Sequence, residues 1–195
     1  MNKVSKLMEE IVLDLVPQTQ ITEEDRAAIA RHRDFLLGLE ERLVQVFYDT
    51  LYAHPRTASV FVEGERPARE DTLRNWWRAT VTGDLGPKYL TWMSLVGVIH
   101  IRRKVTNPMM LGMFHVIGDA VHAAALDSLD PVEAEQLRIA FSHVSATVSA
   151  VISESYTKGY LRALQDLAGL EPALVERMLQ IELRQLEQEG RSAIS

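Results

Sequence analysis

The 195-residue sequence contains no cysteine. That excludes disulfides, thiolate metal sites and thiol nucleophiles. No run approaches the ~18 consecutive apolar residues of a spanning helix, so no membrane segment is expected. Residues 1–10 are charged and amphipathic, unlike the apolar core of a secretory leader. The expected compartment is therefore the cytoplasm. Basic charge is in the minority: 21 Lys and Arg stand against 27 Asp and Glu, for a net charge of -6. No basic stripe runs along any segment, so nucleic acid is not an expected partner. A Gly-rich phosphate loop, a Gly-x-Ser-x-Gly elbow and the paired Glu-x-x-His pattern of di-iron bundles are all missing. What the chain does have is 47% hydrophobic and 25% charged residues, enough to bury a core.

The dominant period is helical, and only Val60-Phe61-Val62 looks briefly strand-like. Thr22 followed by Glu23, Glu24 and Asp25 reads as an N-cap with an acidic first turn. The helix it opens is expected to reach Leu37, with Gly38 ending or kinking it. A second helix is expected over 39–53, closed by His54-Pro55, because the residue before proline avoids the α region. Residues 63–67 read as a polar loop, and a helix follows to Thr82. Gly83 and Gly86-Pro87 break the chain before a helix over 88–104. Asn107-Pro108 reads as an N-cap with proline at the first helical position. Asp130-Pro131-Val132-Glu133 reads as a capping box opening a long helix to Leu167. A last, highly charged helix is expected over 173–189. The expected class is all-α.

Six histidines are the natural place to look for chemistry. His100 lies inside the apolar stretch 94–101. Such an imidazole is either a hydrogen-bonded core residue or an axial ligand to a haem iron, with Val96, Ile99 and Ile101 supplying the apolar setting. Tyr48, beside Phe47 on an amphipathic helix, is either a core-edge tyrosine or a distal hydrogen-bond donor to a diatomic ligand. Thr72 could support the same site from the next helix or simply be solvated. His115, Asp119 and His122 share one helix face at spacings of four and three, which could bind a metal or arise by chance. Arg102-Arg103-Lys104 either complements a helix dipole or pairs with haem propionates. Trp76, Trp77 and Trp92 suit packing or an interface better than chemistry.

Taken in order, Phe47-Tyr48-Asp49, His54-Pro55, Thr72-Leu73 and Ile99-His100-Ile101-Arg102 resemble the pattern of the globin-coupled sensors and protoglobins, over about residues 22–160. The resemblance implies a globin-like helical sandwich with an extra N-terminal helix and a C-terminal signalling-type helix. It implies haem b (iron protoporphyrin IX) as cofactor. His100 would be the proximal ligand on the F helix, Tyr48 the distal tyrosine on B, and Thr72 a distal polar residue on E. Phe47, Phe61, Val96 and Ile99 would line the haem. The helices opened at Asn107 and Asp130 would be G and H, the homodimer interface of that family. The sequence departs from the family after His100, where residues 103–110 lack the Gly and Trp-Tyr pair that members often carry.

The expected organisation is an N-terminal amphipathic extension over 1–21, a sensor globin domain over 22–168 and a linker or signalling helix over 169–195. The expected function is reversible sensing of oxygen or another diatomic gas, CO or NO, reported through a homodimer to an output domain or partner protein, without catalysis in this chain. The alternatives are a non-haem globin-like interaction module of a stress-signalling complex, and a haem-dependent nitric oxide dioxygenase or peroxidase-like enzyme. Family sensors usually continue into a transducer, and none is legible here. Leu174, Met178 and Ile181 fall at heptad-like spacing, suiting either a coiled coil or a plain amphipathic helix.

Overall fold

The computed structural model describes residues 2–194, and among them every regular element is helical. Two compact units are formed, Met1–Tyr156 and Thr157–Ser195.

The first unit begins with α1 (Lys3–Asp14), capped by Asn2, whose Oδ1 accepts from Ser5 N at 2.8 Å. Leu7, Met8 and Ile11 are one face of α1 and are buried, so this segment packs into the unit. α2 (Glu23–Arg31) opens with the capping arrangement that the sequence announces. Asp25 N donates to Thr22 Oγ1 at 3.1 Å, and Thr22 N donates back to Asp25 Oδ2 at 2.8 Å.

The helix expected to continue to Leu37 instead breaks at His32, whose φ and ψ are -103° and 22°. α3 (Arg33–Gly38) and α4 (Glu40–Ala53) follow. The break places the His32 ring in the interior, 3.8 Å from Glu133. No local propensity signals that tertiary contact.

His54-Pro55 ends α4 as expected, and a single turn, α5 (Pro55–Ala58), follows it. α6 (Arg66–Thr82) has Pro67 in its first turn, and α7 (Pro87–Arg103) has proline at its start. α7 ends on Lys104, which is left-handed at φ 58°. Lys104 N donates to Ile101 O and Val105 N to His100 O, both at 3.1 Å. These are the two bonds of a Schellman motif, with lysine where glycine is usual.

α8 (Asn107–Ser128) is capped by Thr106, so Asn107 is the first helical residue rather than the cap. α8 is long and apolar enough to cross a membrane. In this unit it packs Met110, Met113, Ile117 and Val121 inward. Asp130 caps α9 (Pro131–Ala168), accepting from Val132 N at 2.9 Å and Glu133 N at 3.1 Å.

The core draws on every α-helix of the first unit except the single turn α5. Trp77 is fully buried, stacks on Phe141 with ring centroids 5.5 Å apart, and donates its indole N–H to Leu36 O at 2.9 Å. Polar contacts also fasten α2 and the turn before it to α9. Thr147 Oγ1 donates to Thr19 O at 3.0 Å, His143 Nδ1 lies 2.8 Å from Asp25 Oδ2, and Arg31 donates to Gln136 Oε1 at 3.0 Å. α7 crosses α9 at close range. Gly97 is buried there, and a Cβ on it would collide with the Ile152 carbonyl oxygen and lie 2.9 Å from Ser155 Cβ. Ser94 and Ser155 share a buried hydrogen bond of 2.7 Å at the same crossing.

The second unit holds the end of α9 and α10 (Pro172–Ile194), with Gly169 at φ 63° between them. α10 has no buried residue, and Leu174, Met178 and Ile181 are exposed.

Candidate functional site

Helices α4, α6, α7 and α8 of the first unit, with Ile152 of α9, line a cavity of about 290 Å³. Phe47, Tyr48 and Leu51 of α4 form one wall. Thr72, Leu73 and Trp76 of α6 continue it. Across the space stand Trp92, Val96, Ile99 and His100 of α7. Met109, Met110, Met113 and Phe114 of α8 form the floor. Phe61, from the turn after α5, completes the lining.

His100 comes to this cavity along the edge of the α7 face that the α7–α9 crossing fixes, since residues three apart are neighbours on a helix surface. Gly97 and Ser94 lie against α9, and His100 sits three residues beyond Gly97. Its imidazole makes no hydrogen bond to any other described residue. Burial, with the Arg103 guanidinium as a lesser cause, pushes its pKa down to about 4. The ring is therefore neutral at pH 7, with nitrogen lone pair free. His32 Nε2 and His122 Nδ1 also lack a hydrogen-bond partner, so what sets His100 apart is its place on the wall of an apolar cavity.

Tyr48 is buried, its ring edge-on to Phe47 at 5.2 Å and to Phe61 at 6.0 Å. Its hydroxyl donates to Arg69 O of α6 at 2.6 Å. Burial holds the phenol proton well above the usual tyrosine range, so it stays a donor at all ordinary pH. Thr72 lines the cavity but is exposed, and its hydroxyl donates back to Ala68 O at 3.0 Å. Ile99 is partly exposed at the mouth, and Val96 is half-buried.

The seven residues expected to hold the haem, Phe47, Tyr48, Phe61, Thr72, Val96, Ile99 and His100, meet at one cavity, whereas Ile101, expected beside them, is not among its lining residues. The sequence reading missed the methionine floor of α8. Met109, Met110 and Met113 were legible only as apolar positions of a helix, and long unbranched side chains fill irregular space. The three tryptophans, expected together in packing or at an interface, part company. Trp77 packs the core, whereas Trp76 and Trp92 stand on the cavity wall. The metal face proposed for α8 does not form. His115 Nε2 pairs with Asp119 at 3.2 Å on the surface, and among the described residues no three His, Asp or Glu side chains gather for a metal.

At the mouth, Arg103 Nη2 donates to Glu65 Oε2 at 2.6 Å and to Val60 O at 3.2 Å. Glu65 also accepts from Val62 N at 3.0 Å, and its Oε1 lies 3.1 Å from Arg69 Nε without hydrogen-bond alignment. Arg103 chiefly, then the Val62 N–H, holds the Glu65 carboxyl below its usual range.

One imidazole cannot hold a bare metal ion, which needs several protein donors. It can complete the coordination of iron that arrives inside its own macrocycle, and an apolar cavity beside a neutral, unpartnered imidazole suits that group. The residues therefore fit a haem.

Comparison with known proteins agrees with the architecture. The globin domain of the Geobacter sulfurreducens globin-coupled sensor superposes with a TM-score of 0.60 at 21% identity, over 76% of this chain and 97% of that one. A likeness at that identity establishes the globin-like fold. No curated protein matches the sequence. The protoglobin family model matches residues 9–162, a span that holds every lining residue of the cavity and every helix from α2 to α8. The chain belongs to the protoglobin family.

Proposed function

We propose that this protein is a haem-binding globin sensor of a diatomic gas, with haem b ligated by His100. The observation that carries the reading is the His100 imidazole: half-buried, neutral and without a hydrogen-bond partner at the wall of an apolar cavity. With His100 as its protein ligand, a bound haem would supply reversible coordination of O2, CO or NO. Phe47, Phe61, Val96 and Ile99 keep the cavity dry beside it. Tyr48 is the polar group nearest in kind to a distal donor, but its proton is engaged by Arg69 O. Meeting a polar ligand means exchanging one acceptor for another, which turns Tyr48 into a link between the ligand and α6. Thr72, bonded to its own helix, is the secondary distal residue.

The sensor reading takes support from the likeness to the globin domain of the Geobacter sulfurreducens globin-coupled sensor. The family membership implies haem. Exposed Leu111, Leu126 and Ile139 on α8 and α9 support a homodimer through those helices. We place output in a partner protein or domain reached through residues 169–195, in the cytoplasm, with 22–168 as the sensor and 1–21 as an extension packed onto it. The interaction-module alternative requires a pocket filled with side chains, and the open cavity speaks against it. The test is spectroscopic. Reconstitution with haemin should give a Soret band that shifts on reduction and on addition of CO or O2. His100→Ala should abolish stable ligation. An unchanged spectrum in that variant overturns His100 as ligand, and failure of the wild-type chain to take up haemin overturns the reading.

A further inference from the structure

The mouth of the cavity opens into a second cleft of about 800 Å³, lined by Arg56, Arg102, Arg103 and Lys104 together with Ser59 and Val62. Val60, Ile99, Arg103 and Met109 belong to both spaces, so cavity and cleft are continuous. Four cations line the cleft and no acidic residue does. They come from two places in the chain: Arg56 from α5, the others from the end of α7. Among the described residues no ion pair engages Arg56, Arg102 or Lys104. Only Arg103 has a counterion, Glu65, which reaches it from the N-cap position of α6. Glu65 has the Val62 N–H and the Arg69 guanidinium as further partners, so it stays satisfied if Arg103 leaves. Unpaired cations at the rim of an apolar cavity favour a ligand that is apolar in body and anionic at one edge.

We propose that this cleft is the carboxylate-docking site of the haem, in which Arg103 exchanges Glu65 for one propionate and Arg56, Arg102 and Lys104 neutralise the other. The inference rests on the haem reading and adds the direction in which the group is seated. A helix-dipole role for the basic cluster would leave Arg56 unexplained, because it lies on a different element. The exchange makes Glu65 a competitor of the ligand and not only a structural partner of Arg103. That gives opposite signs to the two halves of one ion pair.

The test measures the rate of haem transfer to an excess of a haem-scavenging apoglobin, for haemin and for its uncharged dimethyl ester. Arg103→Ala should release haemin about tenfold faster, the loss of one charge-assisted hydrogen bond at a rim. Glu65→Gln should slow haemin release two- to threefold. The double variant Arg56→Ala, Lys104→Ala should also speed haemin release. Release of the ester should respond to none of these. Should Arg103→Ala fold poorly by circular dichroism, Arg103→Gln replaces it. The proposal is overturned if Arg103 and Glu65 variants shift release in the same direction, as a merely structural ion pair would. Equal responses of haemin and ester overturn it too. If neither porphyrin gives a Soret band with the wild-type protein, the haem reading fails and the docking site with it.

Discussion

At the scale of single residues, His100 links site chemistry to stability. Its folded pKa is about 4, against ~6.5 for a solvated imidazole. The folded state thus resists protonation, and the unfolded chain binds the extra proton. The stability from this group is full above pH 6.5 and is lost as pH falls from 6.5 to 4. For the haem-free protein, urea unfolding at pH 7.5 and 5 should differ by ~1–2 kcal/mol more in wild type than in His100→Ala, allowing for partial exposure of the ring. Tyr48 offers a second test. Tyr48→Phe removes the hydroxyl that donates to Arg69 O and should cost ~1 kcal/mol in unfolding of the haem-free chain. In the haem-loaded protein the same change should speed oxygen dissociation. A stability loss with an unchanged dissociation rate would make Tyr48 a brace between α4 and α6 and nothing more.

At the scale of elements, two positions decide how α7 presents its histidine. Gly97 allows α7 to approach α9. Gly97→Ala forces the helices apart and should destabilise by ~1–3 kcal/mol, read as a lower thermal midpoint. It should also broaden the Soret band, because His100 is carried on the displaced helix. Lys104 ends α7 in the left-handed region. Lys104→Gly should raise stability by ~0.5–1 kcal/mol by relieving that conformation, with the Schellman bonds kept. Pro87, read as a break, is the first residue of α7, whereas the helix starts marked by Thr22, Pro67 and Asp130 were legible, because caps and first-turn prolines act within one turn. The break at His32 was not. Its cause is a buried ring facing Glu133 a hundred residues away, and nothing within a turn of His32 encodes it.

At the scale of the whole molecule, the cavity draws only on residues of the first unit, between Phe47 and Ile152. α10 buries no residue. Deletion of 172–195 should therefore leave haemin uptake and the Soret maximum unchanged and shift the thermal midpoint by no more than a few degrees. A colourless truncated protein would show that α10 supports the fold. Leu174, Met178 and Ile181 of α10 are exposed and line no part of the cavity.

The helical class, most helix boundaries and the residue types on which ligation would depend are written in the amino-acid order alone. Those follow from the 3.6-residue period, from caps and prolines, and from the chemistry of one imidazole in an apolar run. Only the tertiary structure decided which of those residues meet. Tyr48 and His100 lie far apart in the chain, and α4 and α7 are brought to one cavity by the burial of Trp77 and the close crossing at Gly97. The same packing left His100 without a partner while spending the hydroxyls of Tyr48 and Thr72 on backbone carbonyls. Hydrogen-bond partners are a property of three-dimensional neighbours, and periodicity carries no information about them.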